Sequence, residues 1–195
     1  MCRPTPFGSG WPAMKTALMP IRRDQLGLTK GEFRAYCFMH LCGKHAGESG
    51  YVETNGPNDL RGRSLMRACK LEEDTAGEIL GGLYKSGCVK KVLQKDTSLG
   101  TIYLLPPMEG VTYAEVDVSK GLKCYIKEAP KEAVSVWLAL TLGMRLESPV
   151  EELSGMLGLP EHHVRDAYPW LMKNELIRER IVKDGRASYK WVSVT

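Results

Sequence analysis

An internal repeat is the feature that most constrains the fold of this chain. Residues 65–89 and 153–177 carry apolar side chains at matching positions, and every match has the same offset of 88 residues (153 − 65 and 177 − 89). The matching pairs are Leu65 with Leu153, Cys69 with Leu157, Leu71 with Leu159, Ala76 with Val164, Leu83 with Leu171, Cys88 with Leu176 and Val89 with Ile177. A constant offset across core-type positions is the trace of an internal duplication. The 195 residues are therefore expected to fold as two small units in tandem.

The second copy has the pattern of two helices joined by a tight turn. Gly158 marks the turn, and Val164, Tyr168 and Leu171 then recur at the spacing of one helical face. Two helices separated by a short turn that contains glycine are typical of a helix-turn-helix. We therefore expect these three side chains to face the core and the opposite side of the second helix to face solvent.

Local start and turn signals lie on either side of this motif. Ser148, Pro149 and Glu151 predict the start of its first helix, as N-cap, first helical residue and third-position carboxylate of a capping box. After the second helix, an Asp-Gly dipeptide at 184–185 interrupts the alternating run 177–194. Asp-Gly between alternating runs is the strongest short-range signal for a β-hairpin. A hairpin is therefore expected to follow the two helices.

The first copy carries a related set of signals. Thr29 and Glu32 match a capping box and predict the start of a first helix. Two further helices are expected at 61–69 and 73–85, the last of them ended by Gly87 as its C-terminal cap. Two strands around a polar loop are expected after Gly87.

These signals divide the chain into four segments. We expect a flexible tail over residues 1–17, a first domain over 18–107, a connector over 108–129 and a second domain over 130–195. The first helix of the second domain is predicted to begin at about Pro130, because proline is favoured at the first helical position. The run from Leu18 to Ile21 predicts either a short strand or an extended arm, and the connector alternates weakly enough to contribute one strand.

Composition excludes several classes of protein. A hydrophobic fraction of 43% and a charged fraction of 26% are typical of a folded, water-soluble protein. No apolar run approaches the roughly 20 residues that a membrane span needs, and the N-terminal residues lack the apolar segment of a secretory signal. Six cysteines without an export signal predict reduced thiols and a cytoplasmic location. The net charge of +4 permits nucleic acid as a partner without requiring it.

Basic side chains collect on the second copy. The second helix of a helix-turn-helix normally enters the major groove, and a basic hairpin suits the phosphate backbone. The outward set of this helix is expected to be His162, Arg165, Asp166, Pro169 and Lys173. The candidate DNA-binding residues of this copy are His162, His163, Arg165, Arg178, Arg180, Lys183, Arg186 and Lys190. Ordinary solvated side chains are the alternative interpretation, and the agreement between helix and hairpin favours DNA.

Arg165 is the candidate for base recognition. It is expected near the N-terminus of the second helix, where recognition helices touch bases, and a guanidinium can donate two hydrogen bonds to O6 and N7 of guanine. A surface ion pair with Asp166 or Glu161 is the competing role for the same side chain.

The first copy has a different charge distribution. Its third helix opens with carboxylates, and Asp74 and Glu78 occupy positions equivalent to outward positions of the second copy. Carboxylates at these positions would repel the phosphates of DNA. The alternative is that this helix contacts a protein. The candidate DNA-binding residues of this copy lie on the preceding helix and on the hairpin: Arg61, Arg63, Arg67, Lys70, Lys90, Lys91 and Lys95. The sequence leaves open whether this copy contacts DNA or a protein.

Metal and catalytic sites are not expected. Cys37, His40, Cys42 and His45 supply four possible metal ligands, but on one helix they spread over roughly 200° and do not converge on a single ion. A buried cysteine and a core histidine are the simpler interpretation. No phosphate loop, paired-carboxylate site or nucleotide fingerprint is present, so no cofactor is expected. The four tryptophans, Trp11, Trp137, Trp170 and Trp191, are assigned to the core or to interfaces rather than to base stacking.

The chain resembles winged-helix proteins in two stretches. Residues 18–41, with a Pro-Ile strand, the run Leu-Gly-Leu-Thr and a helix that opens Glu-Phe-Arg-Ala-Tyr, are similar to the start of winged-helix replication proteins of phages and plasmids. Residues 153–194 are similar to winged-helix transcription regulators. The resemblance implies a mainly α fold with small β wings (α+β), two tandem winged helix-turn-helix domains, and sequence-specific DNA binding without catalysis.

Two functions are therefore expected from the sequence. The first is a non-enzymatic protein that binds double-stranded DNA, as a replication initiator or transcriptional regulator of a phage, plasmid or bacterial genome. Its partners would be DNA and, through the acidic helix of the first copy, a second copy of itself or a replication or transcription protein. The alternative is an adaptor in which tandem winged helices bridge proteins without reading DNA.

Overall fold

The computed structural model describes residues 16–42, 44–46, 49–53, 73–92, 102–106, 108–184 and 187–195. The helices in these residues are α1 Lys30–Cys42, α2 Glu73–Lys85, α3 Val118–Lys123, α4 Ala133–Ala139, α5 Pro149–Leu157 and α6 Glu161–Lys173. The strands are β1 Thr16–Pro20, β2 Lys44–Ala46, β3 Ser49–Glu53, β4 Lys90–Val92, β5 Ile102–Leu105, β6 Tyr113–Asp117, β7 Met144–Leu146, β8 Ile177–Asp184 and β9 Ala187–Val194. The predicted α+β class is confirmed.

The strands form small antiparallel sheets, one in each half of the chain and one between them. In the first half the order is β2-β3-β5-β4, and in the second half it is β7-β9-β8. The third sheet pairs β1 with β6, from Thr16 opposite Asp117 to Pro20 opposite Tyr113. Residues 16 and 17, expected in the flexible tail, thus belong to a strand, and the predicted strand in the connector is β6.

The internal repeat extends to the backbone. Helices α2 and α6 are both 13 residues long, and both their ends are 88 residues apart (161 − 73 and 173 − 85). The strand orders β3-β5-β4 and β7-β9-β8 also correspond, because in each half the last strand lies between the other two. The helix predicted at 61–69 lies outside the described residues.

Two predicted helix-end signals are present in the structure. The Thr29 capping box is present: the Thr29 N–H donates to Glu32 Oε2 at 2.7 Å, and the Glu32 N–H donates to Thr29 Oγ1 at 3.3 Å. Gly87, with φ of 77°, follows α2 in the left-handed conformation expected of a C-terminal cap. These two ends are confirmed.

Two predicted details of helix starts are wrong. Helix α4 begins at Ala133, because Pro130 lies in a turn in which its carbonyl accepts the Ala133 N–H at 3.1 Å. At α5, Ser148 and Pro149 have the predicted positions, but the capping carboxylate is Glu152 rather than Glu151. Glu152 Oε1 accepts the N–H of residue 147 at 2.6 Å and that of Ser148 at 2.7 Å. The side chain one residue further along satisfies both free amides.

Residues between the two halves pack into a shared core. Gly121 of α3 is pressed between the halves: a Cβ there would lie 2.6 Å from Leu41 Cδ2 and 3.2 Å from Trp137 Cζ3. Arg34 of α1 is also buried, and its guanidinium donates to the carbonyl oxygens of Lys131 and, at 3.2 Å, of Cys124. A buried cation bound by backbone carbonyls ties α1 to the segment that precedes α4.

Candidate nucleic-acid interface

Helix α6 has the predicted inward and outward sides. Val164, Ala167 and Leu171 are fully buried, and Tyr168 is nearly so. The exposed positions are His162, Arg165, Asp166, Pro169 and Lys173. The apolar stripe was therefore sufficient to place the outward set of this helix correctly.

The turn before α6 is held from outside the motif. Gly158 adopts φ of 59° after α5, and the Leu159 N–H donates to the Ser154 carbonyl at 3.1 Å. Arg23, in the segment after β1, donates from Nη2 to the carbonyl of Leu157 at 3.2 Å. The two helices are thus fixed relative to each other by a left-handed glycine and by an arginine from the first half.

The exposed side of α6 is close to electrically neutral. Arg165 Nη2 lies 3.1 Å from Glu161 Oε2, and both side chains are more than half exposed. Asp166 and Lys173 add one further charge of each sign. The ring of His163, which is half-buried, lies edge-on to that of His162 with centroids 4.3 Å apart. An exposed i,i+4 pair contributes only a few tenths of a kcal/mol, about 0.3–0.5, so DNA could displace Glu161 from Arg165 at little cost.

The predicted hairpin is present, and its register divides the cations between two faces. Side chains opposite each other in an antiparallel pair share a face. Glu179 and Lys190 lie on the inner face, where Tyr168 Oη of α6 donates to Glu179 Oε1 at 2.5 Å and Lys190 Nζ approaches the same oxygen at 3.0 Å. Lys183 lies on this face beyond the helix and is exposed. Arg186 lies outside the described residues.

Arg178 and Arg180 lie on the outer face instead. There Arg180 is opposite Trp191 of β9, and Trp191 is opposite Arg145 of β7, so the three form one row across the sheet. Trp191 is 44% exposed, so of its two expected roles, core or interface, the core is excluded, whereas Trp137 is buried. Arg145 was not predicted as a site residue, although the triplet Met-Arg-Leu at 144–146 alternates as a half-buried strand would.

In the first half, few candidate residues are described. Lys90 is exposed on β4, and Lys91 follows it in the same strand, opposite Tyr103 of β5. Glu78 is exposed on α2, on the side away from Ile79 and Leu80, which are buried. The candidates Arg61, Arg63, Arg67, Lys70 and Lys95 lie outside the described residues, as does the side chain of Asp74.

Of the four possible metal ligands, Cys37, His40 and Cys42 lie in α1, whereas His45, expected on the same helix, belongs to β2. Cys37 and His40 are fully buried, and burial raises the pKa of the Cys42 thiol to about 12, so Cys42 carries its proton at neutral pH. In the described part of the chain, no three potential ligand side chains come close enough to hold a metal ion. The described helices include none that is long and apolar enough to cross a membrane.

Comparisons of the chain with protein-family models, with curated proteins and with solved structures gave no significant match.

Proposed function

We propose that this chain is a non-enzymatic protein that binds double-stranded DNA through two tandem winged-helix modules. The order helix, strand, helix, helix, strand, strand runs from α4 to β9, with the last strand in the middle of its sheet. The same strand order recurs around α2. This agreement in strand order between the two halves is the observation that carries the proposal.

In the second module, α6 is the element proposed to enter the major groove. Arg165 is exposed on its first turns, and its ion-pair partner among the described residues is Glu161, a surface pair that leaves the guanidinium able to turn toward guanine. His162 lies one turn earlier on the same exposed side. Lys183, exposed on the α6 side of the hairpin, would contact a phosphate beside the groove.

The first module is proposed to serve assembly more than base recognition. The exposed side of α2 carries Glu78 at the position of Asp166 in α6, and Gly77 at the position of Arg165. Glu78 forms no ion pair with another described residue, and an unpaired carboxylate disfavours entry into a DNA groove and suits a basic protein surface. Such a surface would belong to a second copy or to a replication or transcription protein, as in a replication initiator or regulator of a phage, plasmid or bacterial genome.

A second candidate function is an adaptor that joins proteins through the same modules. The near neutrality of the exposed side of α6 favours it, because most DNA-binding helices owe their non-specific affinity to excess positive charge. In that case the chain would bind duplex DNA weakly and without dependence on sequence.

A salt titration of duplex affinity separates the two candidates. The full chain is titrated with a labelled 30-base-pair duplex at several salt concentrations, and Lys183→Gln is measured beside the wild type. The DNA proposal predicts a steep fall of log affinity with log salt and, for Lys183→Gln, a slope shallower by about one unit. Lys127→Gln, in the exposed turn after α3, is the matched control and should leave the slope unchanged. A flat slope in the wild type supports the adaptor.

A further inference from the structure

The outer face of the β7-β9-β8 sheet is an aromatic and basic surface that the double-stranded DNA proposal does not use. Helix α6 packs on the inner face, where Tyr168 bonds Glu179. On the other side, Arg145, Arg178 and Arg180 are exposed, and Trp191 is 44% exposed. A large exposed aromatic side chain among cations marks a binding surface more often than a scattered surface residue does.

The side chains of this face form an ordered array. Trp191 lies on the central strand, with Arg145 opposite it on one side and Arg180 on the other. Directly opposite residues have Cβ atoms about 5 Å apart, so Trp191 has an arginine beside it on each neighbouring strand. The Arg145 guanidinium carbon also lies 3.7 Å from the centroid of the Tyr189 ring. Tyr189 is on β9, two residues before Trp191. Stacking on Tyr189 orients Arg145 before any ligand binds.

The indole of Trp191 packs against Gly143, in the turn before β7. A Cβ on Gly143 would lie 3.0 Å from Trp191 Cζ2 and 3.4 Å from Cε2, so the ring rests directly against the Gly143 backbone. Gly143 has φ of 71°, a conformation that glycine adopts without strain. One side of the ring is therefore supported by the protein, and the exposed remainder is available to a planar partner.

The charge of the face selects the chemistry of that partner. Arg145, Arg178 and Arg180 lie on it, and its one carboxylate among the described residues is Asp184, at the far end of the hairpin. Glu179 is on the inner face and does not neutralise them. A ligand that matches both features carries repeated negative charge and exposed planar rings. Single-stranded nucleic acid has both, whereas a duplex keeps its base faces stacked within the helix.

We propose that this outer face binds single-stranded nucleic acid, with a base stacked on Trp191 and the flanking phosphates bound by Arg145 and Arg180. This surface is separate from α6 and does not rest on the duplex proposal. A chain with both surfaces can hold a duplex on one side of its C-terminal sheet and an unpaired strand on the other.

The test uses the full chain and a labelled 20-nucleotide oligothymidylate, with affinity measured by fluorescence anisotropy at several salt concentrations. Trp191→Ala should lower this affinity about 5- to 150-fold, the range expected for loss of one base stacked on an aromatic ring. Trp191→Phe retains a ring and should recover most of the loss. Ile181→Ala is the matched control, because Ile181 is 68% exposed on the opposite face of the same hairpin, and it should bind as the wild type does.

A second variant covers the case in which Trp191→Ala does not fold, as judged by circular dichroism. Arg145→Gln combined with Arg180→Gln should make the salt slope for the single strand shallower by about 1.4 units, since each phosphate contact contributes about 0.7. Duplex affinity measured on the same variants keeps the two proposals apart, because it should change much less than single-strand affinity.

The proposal is overturned by an unchanged single-strand affinity in a folded variant, or by a wild type that does not bind the oligonucleotide. It is also overturned if polyglutamate of equal charge competes as well as unlabelled oligothymidylate, since that would be an anion site without stacking.

Discussion

Helices α2 and α6 are the two regions that best reveal how this molecule is built. They have the same length and equivalent positions in the repeat, and their inward sides are alike, with Leu83 of α2 and Leu171 of α6 both fully buried. Their outward sides differ: where α6 presents Arg165, α2 has the exposed Gly77. The two helices thus share a packing surface and differ in their solvent surface.

The physical reason is that the two sides are constrained unequally. A core leucine contacts many neighbours, and its loss leaves a cavity, so the apolar spacing tolerates little change. An exposed helix position contributes only a few tenths of a kcal/mol, about 0.5 or less, to stability. Gly77 has nothing within 4 Å of the place a Cβ would take, so almost any side chain fits there. Function can therefore change on one copy while the fold persists in both.

The largest expected effect tests whether the inward sides are equivalent. Leu83→Ala and Leu171→Ala should each lower the free energy of unfolding by about 2–5 kcal/mol, because each removes a fully buried side chain. Urea denaturation monitored by circular dichroism measures both. A loss below about 1 kcal/mol in one variant and a large loss in the other would break the equivalence of the two helices.

The next effect tests the junction between the two halves. Gly121→Ala should lower the free energy of unfolding by about 1–3 kcal/mol, because its Cβ would press on the buried Leu41 and on Trp137 behind it. Gly155→Ala in α5 is the matched control, since nothing lies within 4 Å of its Cβ position. A Gly121→Ala variant as stable as the control would mean that the halves are not packed together at α3.

A smaller effect with the opposite sign is expected at Gly77. Gly77→Ala should raise the free energy of unfolding by up to about 1 kcal/mol, because glycine in an exposed helix interior costs backbone entropy and alanine does not. Thermal denaturation should show a higher midpoint. A destabilised variant would indicate that Gly77 is required by a contact that α6 does not have.

The smallest expected effect is on DNA binding, and it separates the proposed role of the exposed side of α2 from that of α6. Glu78→Lys should change duplex affinity less than about twofold, because α2 is proposed to face a protein. Self-association measured by sedimentation should weaken in the same variant. Duplex affinity that rises with a salt slope steeper by about one unit would place α2 beside DNA instead.

The sequence predicted those parts of the fold that depend on short-range signals. Both ends of α2 and the inward side of α6 followed from apolar spacing and, at α2, from Gly87 as a cap. The pairing of β1 with β6 was not predicted, because the two strands are far apart in the chain and neither alternates strongly. Propensity does not encode which distant strand a segment will find.

The candidate interface was predicted less completely than the fold, and the reason is register. The basic residues of the hairpin were found by composition, but whether each lies on the side of α6 or on the outer face follows only from cross-strand pairing. Arg145 and Trp191 become neighbours only when β7 pairs with β9. Likewise, the buried position of Arg34 depends on backbone carbonyls of distant residues, and a pattern of apolar spacing carries no information about them.

The most direct test of the proposed function is a binding-site selection from random duplexes with the wild type and Arg165→Ala in parallel. The account predicts that the wild type selects a defined motif and that Arg165→Ala binds this motif more weakly by about 1–3 kcal/mol, with relaxed preference at one base pair and little change in non-specific affinity. Its structural cost should be only the surface pair with Glu161. The contradicting result is that both proteins select the same motif with equal affinity, or that neither selects any; either would show that α6 does not read sequence.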